Sequence, residues 1–161
     1  MMISMGPTKM SISRLCYRSA LTFTEMTLSL EEELERIVAT ARANNARTGL
    51  RGALIMNGTT FFQVLEGPAD ALEATFSRIE ADRRHHDLTV IDRRTDVVTL
   101  LPNAPLFFCD TLDAHDGVLA SLAMPIMQAP ELVSHDDLIS VSVFASARLS
   151  RSHEVSRRLS A

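Results

Sequence analysis

The chain has 161 residues, 46% apolar and 22% charged, with a net charge of −4 and a pI near 5.7. That composition supports one packed domain with some appended structure, and the acidic balance argues against general nucleic-acid binding, which draws on a basic surface. No apolar run approaches the ~20 residues that cross a bilayer. The opening MMISMGPTKMSIS lacks the apolar h-region of a signal peptide, so a cytoplasmic location with no membrane partner is expected. The two cysteines, Cys16 and Cys109, lie far apart without metal-ligand spacing and read as reduced, buried thiols. There is no tryptophan and a single tyrosine, Tyr17.

In chain order, residues 1–9 read as a disordered lead-in broken by Gly6-Pro7. Residues 11–19 alternate loosely, with Leu15 and Tyr17 on one face of a strand. Ser29 and Glu32 form a capping box ahead of a helix. Leu30, Leu34, Ile37, Val38 and Ala41 mark its buried face, and an end is expected near Asn44-Asn45. Asn57-Gly58 between two apolar runs predicts a hairpin. Gly67-Pro68 closes its second strand and opens a helix with Leu72, Phe76 and Ile79 inward, and with Arg78 and Asp82 spaced to pair. Residues 88–91 read as a strand, and 97–108 as another interrupted by Pro102 and Pro105.

This βαββαβ order plus one strand predicts an α+β, ferredoxin-like βαββαββ sheet with both helices on one face and the first and third strands as neighbours. The other sheet face needs a cover. Residues 111–161 are the C-terminal extension available for it: a short helix ending at Pro125, a second element from Pro130, alternation at Ile139, Val141 and Val143, and a frayed end after Arg148.

Gln63 shares the core side of its strand with Phe61 and Leu65, and a buried amide left unpaired costs ~1–3 kcal/mol. If the strands are adjacent, Tyr17 and Gln63 meet. On spacing alone this is a core tyrosine satisfied by a core glutamine. Asn44 and Asn45 read first as helix C-caps, yet each lies seven residues beyond Ile37 and Val38, near the apolar side, where an amide can read the edge of a planar ligand. Arg78 is placed to reach a phosphate at the mouth between the helices, whereas Arg83 and Arg84 read as a solvated end. No metal-ligand cluster, glycine-rich phosphate loop or nucleophile elbow is present. His135-Asp136-Asp137 reads as a helix-end charge cluster.

Taken together, LCYRS at 15–19, NNARTGLRGALI at 44–55, FFQVLEG at 61–67 and IEADRRH at 79–85 resemble the BLUF family of blue-light sensors using FAD, over roughly residues 12–95. The resemblance implies a flavin-binding domain over 10–110 that holds FAD non-covalently between the two helices. In it Tyr17 is the photochemical electron and proton donor and Gln63 the switching amide. It further implies Asn45 and Asn44 at the polar edge of the ring, Ile37 and Ile79 packing on it, and Arg78 and Asp82 near the ribityl and phosphate chain. The sequence departs from the family by placing Ala104 and Leu106 where tryptophan and methionine are usual.

A photosensor rather than an enzyme is therefore expected, signalling through protein contacts to an unknown downstream partner and forming a homo-oligomer. An acylphosphatase-type hydrolase would need an arginine-bearing glycine-rich loop, which residues 18–28 lack. A flavin-free interaction module that has lost sensing is the remaining alternative, separable by an absorbance spectrum.

Overall fold

The computed structural model describes residues 11–113 and 117–159; the expected lead-in at 1–9 lies outside them. The elements are β1 (Ile12–Leu21), α1 (Leu30–Thr48), β2 (Arg51–Asn57), β3 (Thr60–Pro68), α2 (Ala69–Ala81), β4 (His85–Arg94), β5 (Phe107–Asp110), α3 (Gly117–Gln128) and α4 (His135–Leu159). One sheet runs β4-β1-β3-β2-β5, with β5 parallel to β2 and the other pairs antiparallel. This is the ferredoxin-like arrangement, with β1 and β3 side by side in the centre.

Both sheet faces are covered. On one, α1 contributes Leu34, Ile37, Val38 and Ala41 against Leu54, Met56 and Phe61, while α2 sets Leu72 and Phe76 against Leu15, Tyr17 and Leu65. On the other, Ala123 and Ile126 of α3 and Leu138 and Val141 of α4 pack on Cys16, Ala53, Ile55, Phe62 and Val64. The C-terminal segment thus supplies the expected cover. Burial on both sides also explains why β3 is buried almost without alternation, while the edge strand β4 is mostly open. Burial pushes the Cys16 thiol up to about 12, so it is an inert core thiol; Cys109 is half-buried.

Several boundaries differ from the sequence reading. The capping box at Ser29 and Glu32 forms, but α1 runs past Asn44-Asn45 to Thr48 and ends on Gly49 in the left-handed conformation (φ 75°). Glycine takes that conformation without the Cβ penalty an asparagine carries, so the end falls there. Asn45 is consequently held inside the last turn. In the hairpin Asn57 still belongs to β2, and Gly58 (φ 60°) with Thr59 forms the loop, glycine standing first as a type II′ turn prefers. Residues 98–106 are not strand. The Leu100 and Leu101 amides donate to the Glu66 carboxylate instead of a ladder, and Pro102 and Pro105 have no amide to give.

Between Gly117 and Leu159 every regular element is helical. α3 continues through Pro125, because its Ala123–Ile126 face is buried and Ala129 N–H still donates to Pro125 O at 3.0 Å. The Ile126 carbonyl, whose helical donor would come from Pro130, instead accepts Asn57 Nδ2 at 3.1 Å. Residues 139–143 are not a strand: the buried positions are Leu138, Val141 and Ala145, three and four apart, and Val143 is exposed. α4 extends to Leu159, through the serine- and arginine-rich segment expected to fray.

Candidate functional site

Tyr17 and Gln63 are direct cross-strand partners in the β1–β3 register. Strand alternation turns both to the face covered by α1 and α2, where they are 4% and 5% exposed. The phenol donates a short hydrogen bond to Gln63 Oε1. Burial, with the Asp82 charge adding to it, pushes the phenol well above its ordinary pKa, so it remains a donor. With the carboxamide oxygen turned to Tyr17, its NH2 group has no protein partner among the described residues and is left to the cleft that Gln63 lines.

That cleft, about 190 Å³, lies between α1 and α2 over the sheet. It has room for on the order of a dozen waters, so side chains do not fill it. Tyr17, Ile37, Asn44, Asn45, Gln63, Arg78, Ile79 and Asp82 all line it. The sequence-predicted residues are therefore brought together, Ile37 and Ile79 as apolar walls on opposite helices and the amides at one end.

The asparagines tie the helices together. Asn44 Nδ2 donates to Thr75 Oγ1 of α2 at 3.0 Å, while Asn44 Oδ1 accepts Arg78 Nη2 at 2.6 Å and Arg47 Nη2 at 3.1 Å. Neither guanidinium forms an ion pair among the described residues. Asn45 is 1% exposed and donates Nδ2 to Pro105 O at 2.8 Å, which clamps the 98–106 segment to the end of the cleft. Leu106 is buried beside it and Ala104 is exposed, both ahead of β5.

Arg78 and Asp82 do not pair. α2 stops at Ala81 and Asp82 is extended (ψ 120°), so the one-turn spacing is lost. Asp82 is held instead by Arg84, through Nη2 at 2.7 Å and the backbone N–H at 2.9 Å, which keeps its carboxyl below the usual range. Arg84 also reaches Glu33 at 3.6 Å, so it forms part of the cleft rim rather than a solvated end.

Sequence reasoning missed Ser19, Thr75 and His85 as cleft residues. His85 Nε2 bonds the Ile79 carbonyl and must carry the hydrogen there. A neutral ring then accepts Ser19 Oγ–H on Nδ1, at 2.8 Å. The ring stands edge-on to Tyr17, centroids 6.5 Å apart. Ser19 was findable, since it lies two residues beyond Tyr17 on the same strand. His85 required knowing that β4 starts there rather than at residue 88.

Fold and site together define a ligand-holding domain: an open apolar cleft, polar at one end, with a phenol–carboxamide pair in its floor. The family described as "BLUF: Sensors of blue-light using FAD" matches residues 12–98, and the chain belongs to it. It is 32% identical over 77 residues to the blue light- and temperature-regulated antirepressor BluF of Escherichia coli, covering 48% of this chain and 18% of that protein. The fold is similar to that of BlrB, a BLUF protein in its dark state, at a TM-score of 0.69 and 24% identity, over 84% of this chain and 98% of that one. It is also similar to Klebsiella pneumoniae BlrP1 with FMN and cyclic diGMP, at 0.59 and 32% identity, over 68% and 29% of the chains. The chain thus spans less than a third of BluF and of BlrP1.

BLUF domains are blue-light sensors that bind flavin, and the residues here fit one. The cleft is open, its opposite walls are apolar, and an unengaged carboxamide NH2 faces it. Among the described residues no helix is long and apolar enough to cross a membrane, and no group of metal-binding side chains is found.

Proposed function

We propose that this chain is a blue-light photoreceptor that holds FAD non-covalently between α1 and α2 and converts absorbed light into a rearrangement of the Gln63 side chain. When bound, the flavin supplies visible absorption and, once excited, a one-electron oxidant. The remaining work falls to the protein. Ile37 and Ile79 pack the two faces of a planar ring, Asn44 and Asn45 serve its polar edge, and Asp82 accepts from ribityl hydroxyls. Arg78, with Arg47 beside it, offers donors to phosphate.

A phenol that loses an electron becomes strongly acidic, and the Tyr17 proton has one short path, to Gln63 Oε1. Protonation at that oxygen, or rotation about the soft terminal torsion of the amide, changes which donor and acceptor Gln63 presents to the cleft. Return of electron and proton to Tyr17 leaves the composition unchanged and only the hydrogen-bond pattern altered. No turnover is involved, so the site works as a switch rather than an enzyme. With no tryptophan and no second tyrosine, Tyr17 has no competing phenol or indole donor.

Output passes through protein contacts of the C-terminal layer, in a homo-oligomer and toward a downstream protein. The observation that carries the reading is the Tyr17–Gln63 hydrogen bond in the floor of the open cleft. Purified protein should be yellow and shift reversibly to the red under blue light. A colourless protein that fails to take up added FAD overturns the reading.

A further inference from the structure

A second polar cluster lies on the opposite sheet face, under the C-terminal layer. Arg14 of β1 and Glu66 of β3 are cross-strand partners, 3% and 1% exposed, joined Nε to Oε2 at 2.8 Å. Arg14 Nη2 donates to Val98 O at 2.6 Å, and Glu66 accepts the Leu100 and Leu101 amides at 3.1 to 3.2 Å. The remaining Arg14 nitrogen, Nη1, meets Nε2 of His135, the first residue of α4, at 3.2 Å. A guanidinium only donates, so this contact requires an unprotonated Nε2. His135 Nδ1 carries the ring hydrogen and gives it to Asp136 Oδ1 at 2.7 Å.

We infer that the Arg14–His135 contact is a proton-sensitive latch, holding the start of α4 and the 98–101 segment on the central strands only while His135 is neutral. Protonation abolishes the acceptor and sets an imidazolium against a buried guanidinium. Charged groups lie around this contact on β1, β3, β4 and α4. Arg14 on β1 is buried, so its repulsion is weakly screened. Glu66 on β3 is already committed to Arg14 and three backbone contacts. Asp136 on α4 favours the cation but is 88% exposed, so its attraction is screened. Arg94 on β4 is paired with Asp92 and adds positive charge near Asp136. The helix N-terminus, capped by Ser134 with Asp137, also disfavours a cation in the first turn. The lost acceptor sets the sign: of the two first-turn carboxylates, Asp136 is exposed and Asp137 caps the helix, and neither restores a partner to Arg14 Nη1. Because the docked contact needs Nε2 free of a proton, docking weakens as pH falls.

The latch makes no use of the cleft between α1 and α2, so it stands or falls independently of flavin binding. The test is hydrogen exchange on the full chain in the dark, corrected for intrinsic rates, between about pH 8 and pH 5. Segments 98–101 and 135–147 should lose protection on the order of tenfold on acidification, while β1 and β3 keep theirs. His135→Gln keeps an acceptor that cannot take up the proton at these pH values, and it should abolish that acid response. If it unfolds, the wild-type segmental pattern decides alone. Acid-independent protection of α4 in the wild type, or an equal acid response in a folded His135→Gln protein, overturns the latch.

Discussion

Tyr17 and Gln63 face each other across the two central strands, and the hydroxyl of one is the hydrogen-bond partner of the other's carboxamide oxygen. Because the pair is set by strand register, either partner can be removed with little movement of the backbone. Tyr17→Phe keeps the ring packed against Phe76 and deletes the donor. Gln63→Leu keeps the volume and deletes the amide. Light-minus-dark absorbance should show no red shift in either flavin-loaded variant. Without flavin, Tyr17→Phe strands a buried carboxamide oxygen and should lose about 1–3 kcal/mol in urea unfolding. Full photoconversion by either protein excludes the proposed switch.

The same burial gives an alkaline prediction. The folded phenol titrates above the unfolded value of 10.0, so the folded chain keeps a proton that the unfolded chain gives up. The stabilisation is complete below about pH 10 and is lost as pH rises toward the folded value, at up to about 1.4 kcal/mol per pH unit. Since Tyr17 is the only tyrosine, phenolate absorbance reports it without deconvolution. The signal should appear together with loss of structure. A phenolate appearing near pH 10 in a folded protein would show the ring open to water.

What the sequence made legible follows from period and register. Two-residue alternation set Tyr17 and Gln63 inward, and the βαββαβ order made their strands neighbours, so the pair could be foreseen without coordinates. The Ser29 capping box was equally plain because it is a local motif. The errors fall where non-local contacts decide. Glu66 captures the Leu100 and Leu101 amides from 34 and 35 residues away, which turns a strand-like run into a loop. Packing on Cys16, Phe62 and Val64 holds α3 helical through Pro125, and makes helix of the alternating 139–143 run. His85 was in view as a residue, but its role depends on a bond to the Ile79 carbonyl that no spacing rule contains.

Gly52 exposes the tightness of the cleft end. A Cβ there would stand 2.9 Å from Leu106 Cδ1 and 3.0 Å from Asn45 Nδ2. Gly52→Ala must therefore push aside Asn45 or the leucine that follows Pro105. Overpacking of this kind costs about 1–3 kcal/mol. Flavin retention on gel filtration should fall along with stability, whereas Gly58→Ala, in the hairpin loop with open space around it, should retain flavin normally. Normal retention by a folded Gly52→Ala protein would mean that Asn45 is not held in place from this side.

Glu66 is the acid of a buried pair whose partner has nowhere else to discharge. Glu66→Gln leaves Arg14 as an uncompensated buried cation and weakens the hold on the 98–101 segment. Breaking a buried pair in this way costs about 3–5 kcal/mol, well beyond the effect of a typical surface ion pair. Arg93→Gln, which removes the exposed pair with Glu73, is the comparison. Chemical denaturation should separate the two by several kcal/mol; equal effects would mean that water reaches Arg14.

Arg47 and Arg78 converge on one carbonyl oxygen at the cleft mouth, with no carboxylate bound to either among the described residues. Two like charges sharing one neutral acceptor are better satisfied when an anion, such as the phosphate of a flavin nucleotide, arrives. The protein should accordingly bind FMN more tightly than riboflavin. Arg47→Gln and Arg78→Gln should each reduce that preference roughly fivefold, the scale of an exposed charge contact. Raising the salt concentration should weaken FMN binding and leave riboflavin binding nearly unchanged, because screening acts on the phosphate alone. Both affinities are read by quenching of flavin fluorescence. A preference that survives loss of both arginines would place the phosphate away from Asn44.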